Sequence, residues 1–236
     1  MKAFILAGGF GIRLREVIHG RPKVLAPIHG RPFLEYVIRY LKREGIEQIV
    51  LGVGYLSHYV RDAFGNGRSL GVQIDYSEEL RPLGTAGAIR NAAHLLDNDF
   101  LVLNGDTLVD VNLGELMRLH RDRQADVTLV ATRTHHGRGG LMQVDAQGRV
   151  VRFDEQPVER PVAGYTNAGV YVFNPKILEL LRQGERSFLE SDLFPQLLEQ
   201  EFRVAAFIGA SDYIDIGSPE RYERAKKMLR SIDANG

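Results

Sequence analysis

Phe4-Ile5-Leu6-Ala7-Gly8-Gly9-Phe10-Gly11-Ile12-Arg13, with Pro22-Lys23 shortly after it, is the stretch that decides the fold. Phe4 to Ala7 reads as a buried strand, and it breaks at once into glycines. Glycine directly after a strand allows positive φ and close backbone approach, so successive N–H groups can turn toward a phosphate chain. Arg13 adds a fork of donors suited to phosphate oxygens, and Lys23 adds a compact charge. The combination predicts a nucleoside triphosphate grip at the end of the first strand of an α/β sheet.

Two better-known phosphate loops do not fit. A Walker loop needs Gly-x-x-x-x-Gly-Lys-Ser/Thr, and the chain has no such run. A dinucleotide loop needs G-x-G-x-x-G opening a helix; Gly9-Phe10-Gly11 supplies its first half, but Leu14 stands at the third glycine position.

Outward from this stretch, the 236 residues alternate short apolar runs with helical periods. Helices are predicted over 32–44, 85–96 and 113–121, between strands at 49–53, 72–76, 100–103 and 127–131. That alternation predicts a Rossmann-like, mostly parallel sheet sandwiched by helices. The second half changes character. A strand pair over 140–153 and a strand over 169–173 form a smaller β subregion, followed by helices at 175–181, 191–201 and 219–229. With no repeat or long linker, residues 1–236 read as one domain, with a nucleotide-binding half (1–132) and a second half (133–236).

Thirty basic residues balance thirty acidic ones, which argues against a nucleic-acid partner and against attraction to a membrane surface. The absence of cysteine excludes disulfides and Cys-based metal or nucleophile chemistry. The first apolar run is too short for a secretory leader, and no run is long enough to span a bilayer, so a cytoplasmic location is expected. His135 and His136 are adjacent and poorly placed to share one metal; their segment, 133–140, reads as a solvated loop.

Asn104-Gly105-Asp106 closes the fourth strand. Open α/β sheets bind ligands outside the carboxyl ends of their strands, so Asp106 is expected beside the phosphates, where a carboxylate usually serves Mg²⁺. Asp215 lies in Asp215-Ile216-Gly217-Ser218-Pro219; Ser218 can cap the helix beginning at Pro219, which leaves Asp215 free of that duty.

Leu6-Ala7-Gly8-Gly9-Phe10-Gly11-Ile12-Arg13-Leu14 followed by Pro22-Lys23-Val24-Leu25-Ala26-Pro27 resembles the sugar-1-phosphate nucleotidyltransferase family, with Ile12 where the family usually has Thr. The resemblance implies an NTP and a sugar 1-phosphate as substrates, an NDP-sugar and pyrophosphate as products, and Mg²⁺ as cofactor. It implies that Asp106 and Asp215 hold the metal, that Arg13 grips the leaving phosphates, and that Lys23 stabilises the α-phosphate. Asp212 is a decoy for Asp215 and lacks the Gly and Pro that follow it.

The nucleotide side would then comprise Leu6, Ala7, Gly8, Gly9, Gly11, Glu79, Gly84, Thr85 and Asn104. Leu83-Gly84-Thr85-Ala86-Gly87 is similar to the family's base-facing loop, with Glu79 at the base edge and Glu78 as the neighbouring candidate. An ionised carboxylate only accepts hydrogen bonds, and guanine presents two adjacent donors, so Glu79 tilts the choice toward GTP. The sugar side would comprise Gly140, Glu155, Gln156 and Asn167. Gln156 stands where the family's lysine usually holds the sugar phosphate, with Arg133, Arg138 and Arg152 as candidates to compensate. Length and the Pro32 to Tyr36 run look most like the short guanylyltransferases of D-glycero-D-manno-heptose 1-phosphate or mannose 1-phosphate. A uridylyl- or thymidylyltransferase of a hexose or amino-sugar phosphate, and a non-catalytic nucleotide-binding subunit, are the alternatives. A homo-oligomer is compatible with all of these.

Overall fold

The computed structural model describes residues 1–9, 11, 14, 18, 20–133, 140–154, 164–210 and 213–233. Arg13, Arg138, Asp212, Glu155, Gln156 and the histidine pair lie outside them.

Apart from the two-residue antiparallel pair Pro27–Ile28 and Arg31–Pro32, the strands are β1 (Lys2–Leu6), β2 (Gln48–Val53), β3 (Gln73–Glu78), β4 (Phe100–Asn104), β5 (Thr107–Val109), β6 (Val127–Thr132), β7 (Leu141–Val144), β8 (Val150–Asp154), β9 (Tyr165–Phe173), β10 (Val204–Ile208) and β11 (Tyr213–Asp215). The helices are α1 (Phe33–Arg43), α2 (Ser57–Phe64), α3 (Gly84–Asn91), α4 (Leu113–Asp122), α5 (Phe194–Glu199) and α6 (Pro219–Asp233). β3, β2, β1 and β4 run parallel in that order across the sheet. β9 then enters antiparallel between β4 and β6, and β10 pairs parallel with β6. The hairpin β7–β8 extends the sheet beside the start of β9.

The inner strands are apolar without alternation because both faces of the sheet are covered. Ala3 and Ile5 of β1 face α1, α2, α4 and α6, together with Leu101, Leu103, Leu34 and Val37. Phe4, between them in sequence, faces the other way, onto Val102, Ala86 and Ile89 of α3 and Phe194 of α5. Phe4 is fully buried, and a side chain of its size contributes roughly 1.5–3 kcal/mol by leaving water. α1 needs no side-chain cap: Pro32 precedes it, Glu35 lies in its first turn, and Lys42 and Arg43 lie in its last turn, with its dipole.

Several expected boundaries move. The helix expected over 85–96 is α3 only to Asn91, followed by a 3₁₀ turn at Ala93–Leu95. Pro175–Leu180 is 3₁₀ rather than α, and the helix expected from Ser191 begins as a π turn at Leu189–Leu193 before α5. α2, β5, β10 and β11 are additions, and β9 reaches back to Tyr165. Short pairings such as β5 with β11 have too few residues for a period to be legible.

The order β3-β2-β1-β4 fixes where a ligand can go. From β1 the chain moves out through β2 and β3, then returns to β1's other side as β4. That reversal opens a crevice between the carboxyl ends of β1 and β4, where doubly wound sheets bind ligands. Among the described residues, no helix is long and apolar enough to cross a membrane.

Candidate active site

A cleft of about 760 Å³ lies over this reversal, with Leu6, Gly8, Gly9, Lys23, Asn104 and Asp106 on one side and Glu79, Gly84 and Thr85 on the other. The ladder continues past the strands to shape it. Ala7 N–H donates to Gly52 O at 2.8 Å and Gly105 N–H to Leu6 O at 3.0 Å. Ala7 is therefore spent on the sheet: its amide is taken and its side chain is buried, behind the cleft rather than in it. Gly8 lines the cavity, and a Cβ there would be tight, 3.2 Å from Glu79 Oε1 and 3.3 Å from Gly54 N. Gly11 has φ +57°, and a Cβ there would stand 2.7 Å from the Cβ of Lys23.

The Asp106 corner is assembled by a pairing that the sequence does not announce. β11 runs antiparallel to β5 with Asp215 opposite Thr107, and Ile216 N–H donates to Asp106 O at 3.1 Å. Two aspartates 109 positions apart in sequence (215 − 106) thereby become backbone neighbours. Lys23 Nζ pairs with Asp106 Oδ2, and Thr107 Oγ1 donates to Asp106 Oδ1 at 3.3 Å. Asp215 Oδ1 accepts from Gly217 N–H at 2.8 Å and from an Arg221 guanidinium N–H at 3.0 Å. Burial, then the negative charges of Asp215 and Asp106, pushes the Tyr213 phenol up, so it stays a neutral donor beside both.

α6 braces the corner from behind. Its Tyr222 hydroxyl donates to Pro27 O, in the segment that follows Lys23, and His29 Nε2 lies 2.7 Å from Lys226 O. Among the described residues, no three carboxylates or imidazoles gather to hold a metal. Of the two carboxylates, Asp106 lines the cleft and Asp215, its backbone neighbour, does not; such a pair fits Mg²⁺, which takes one or two protein carboxylates and completes its shell with phosphate oxygens and water.

At the other end the adjacent pair Glu78–Glu79 separates. Glu78 is exposed and accepts from Ser57 Oγ at 2.6 Å and Arg61 at 3.0 Å, which hold its carboxyl below the usual range. Glu79 is half-buried beside Gly8 and accepts Leu83 N–H at 2.9 Å; burial pushes its carboxyl up, against that hydrogen bond. The loop after it is clamped. Gly84 has φ +74°, and a Cβ there would meet Ser187 O at 2.4 Å; Thr85 Oγ1 accepts Leu189 N–H at 2.7 Å. Both residues line the cleft while serving that clamp.

On the remaining side, Asn167 N–H donates to Gly140 O at 3.0 Å, Asn167 Nδ2 donates to Tyr171 Oη at 2.7 Å, and Tyr171 Oη donates to Glu190 Oε1 at 3.4 Å. Gly140 is buried beneath the Phe153 ring, and neither it nor Asn167 reaches the cleft wall. Arg152 is exposed and engaged by Asp154 at 2.8 Å, and Arg133 is exposed beyond β6. Sequence reasoning missed Arg186 and Glu190, which line the cleft. They arrive through the contact of residues 187–189 with the start of α3, a tertiary pairing with no local signal.

The family model described as nucleotidyl transferase matches residues 2–231. Mannose-1-phosphate guanylyltransferase of Mycobacterium tuberculosis is 38% identical over 230 residues, covering 96% of this chain and 64% of that protein's length. D-glycero-alpha-D-manno-heptose 1-phosphate guanylyltransferase of Aneurinibacillus thermoaerophilus is 37% identical over 234 residues, 98% of this chain and 99% of that one. The crystal structure of HddC from Yersinia pseudotuberculosis superposes with a TM-score of 0.85 at 30% identity, over 97% of this chain and 99% of that one; the same protein is solved in complex with GMP-PN.

Proposed function

The chain belongs to the nucleotidyl transferase family, and from that premise we propose that it joins GTP to D-glycero-D-manno-heptose 1-phosphate or mannose 1-phosphate, releasing pyrophosphate. The observation that carries the reading is the β5–β11 pairing, which sets Asp215 beside Asp106 and its partner Lys23 at the end of the phosphate loop. A module that only bound nucleotide would have no use for that second carboxylate. The guanylyltransferase relatives and the GMP-PN complex support the choice of base and sugar.

In this reading a sugar-phosphate oxygen attacks the α-phosphorus in line and pyrophosphate departs. The phosphate monoester is already anionic near neutral pH, so no general base is needed, and positioning and charge neutralisation supply the rate. Lys23 exchanges Asp106 for the α-phosphate oxygens as negative charge builds there. Gly8 and Gly9 offer backbone to the triphosphate, and Arg13 takes the leaving phosphates. Mg²⁺ held by Asp106 and Asp215 would supply Lewis-acid neutralisation of the triphosphate. Glu79 reads guanine, and Glu155, Gln156 and Asn167 serve the sugar half. A nucleotide substrate of this kind supports a cytoplasmic location as part of the same reading.

A panel of four NTPs against mannose, heptose, glucose and amino-sugar 1-phosphates, scored by pyrophosphate release, tests this. The expected product is a GDP-sugar from one of the first two. Turnover confined to UTP or dTTP would move the chain to the uridylyl- or thymidylyltransferases, and no turnover with any pair would leave a binding subunit.

A further inference from the structure

The two carboxylates of the metal corner are restrained differently. Asp106 is paired by Lys23, a residue the proposed chemistry needs elsewhere. Asp215 is held by Arg221, which lies one turn into α6 and is about as far from the nucleotide loop in sequence as the chain allows.

We propose that Arg221 is the positioning residue of this corner: it ties one oxygen of Asp215 back toward α6 and leaves the other to a divalent cation shared with Asp106. The proposal rests on the reading of Asp106 and Asp215 as metal ligands.

Three observations carry it. The guanidinium donates to Asp215 Oδ1 at 3.0 Å, and Gly217 N–H donates to the same oxygen at 2.8 Å. The carboxylate is thus fixed through one oxygen by a cation and an amide together, and its rotation is closed. A Cβ on Gly217 would stand 2.8 Å from that oxygen and 3.4 Å from the guanidinium, so the pair packs over bare backbone. The base of Arg221 is itself anchored: Ser218 Oγ accepts its N–H at 3.4 Å, and Tyr222 N–H returns to Ser218 O at 2.9 Å. The hydrogen bond to Asp215 also raises the guanidinium's affinity for its proton.

A cation beside a metal ligand has two opposing effects. It repels the metal, and it orients the ligand. The Arg221 side chain is 38% exposed against 12% for Asp215, so water screens much of the repulsion. The orienting hydrogen bond, at 3.0 Å and shared with the Gly217 amide on the same oxygen, keeps its geometry, which lets orientation win.

The test is metal affinity. Mn²⁺ is titrated into the full chain with a non-hydrolysable GTP analogue, and bound Mn²⁺ is read by electron paramagnetic resonance. Arg221→Ala should raise the Mn²⁺ Kd by about 10–100-fold, the usual consequence of losing a group that orients a metal ligand. Turnover should need correspondingly more Mg²⁺ while kcat at saturating Mg²⁺ stays close to wild type. Arg221→Lys, which keeps the charge with one fewer rigid fork, should fall between the two and serves where the alanine variant folds poorly. Asp215→Asn is the control. If it loses Mn²⁺ and Arg221→Ala does not, Arg221 only staples α6 and the proposal fails. If Asp215→Asn binds Mn²⁺ as wild type does, the ligand reading itself falls, and this inference with it.

Discussion

At the Asp106–Asp215 corner both carboxylates have a protein cation at hand, Lys23 for one and Arg221 for the other. At the Glu79 end the carboxylate has one backbone N–H and a half-buried wall, and its proton affinity rises. The first arrangement keeps charge in place and exchanges partners cheaply. The second leaves a carboxylate with few partners. In the proposed reading one cleft separates charge handling from recognition, and substitutions at these two places should act on different kinetic constants.

The largest effect belongs to the metal corner. Asp106→Asn should cut kcat by at least about a hundredfold, because a metal's charge stabilisation is worth several kcal/mol. Its fold should survive, since β5 and β11 pair through backbone. Circular dichroism beside a turnover assay measures both, and near-wild-type kcat would remove Asp106 from the mechanism.

Lys23→Ala comes next. If the ammonium follows developing charge on the α-phosphate, kcat should fall by about 10²–10³-fold while the Kd for GTP changes far less. A weaker Kd with unchanged kcat would return Lys23 to ground-state positioning, and with it the argument that this end handles the moving charge.

Glu79→Gln probes the recognition end. The amide keeps the shape and trades one acceptor for a donor, which suits uracil or thymine better than guanine. The ratio of kcat/KM for GTP over UTP should shrink by roughly 1–3 kcal/mol, with kcat for GTP less affected than in either corner variant. Full GTP preference in this variant would put base reading on the backbone around Leu6 to Gly8.

The sheet and its phosphate end were legible because their signals are local. β1, β2 and β4 are largely apolar runs, Gly8 and Asp106 sit just past the ends of β1 and β4, and Lys23 follows a proline in a 3₁₀ turn of its own. Long-range pairings were not legible. Nothing around Tyr213 says that three residues will pair with Thr107–Val109, nor that Arg221 will turn back onto Asp215. Ala7 shows the reverse error: a residue inside a motif whose amide belongs to the sheet. Glu190 and Arg186 reach the cleft only because Ser187 closes on Leu83, Ala86 and Gly87, a contact between segments a hundred positions apart, about (187 − 87).

The smallest effect tests the same contrast through stability alone, on neighbouring residues. Glu79 is a carboxylate whose folded proton affinity is raised, chiefly by burial, so its ionisation costs the folded state. That cost is present above the raised folded value and fades as pH falls through it toward the unfolded value, near 4.3. Glu78 has the opposite sign. Its proton affinity is lowered, first by Ser57 and then by Arg61, so its contribution is present above the unfolded value and is lost as pH falls through the folded one. Glu79→Gln should therefore raise Tm near pH 7 and Glu78→Gln should lower it, the latter weakly because that pair is exposed. The Glu79 difference should shrink as melts are repeated toward pH 4, and the Glu78 difference only as pH falls below the unfolded value. Two adjacent glutamates shifting Tm in the same direction at neutral pH would mean that the recognition end is no more partner-poor than the surface beside it.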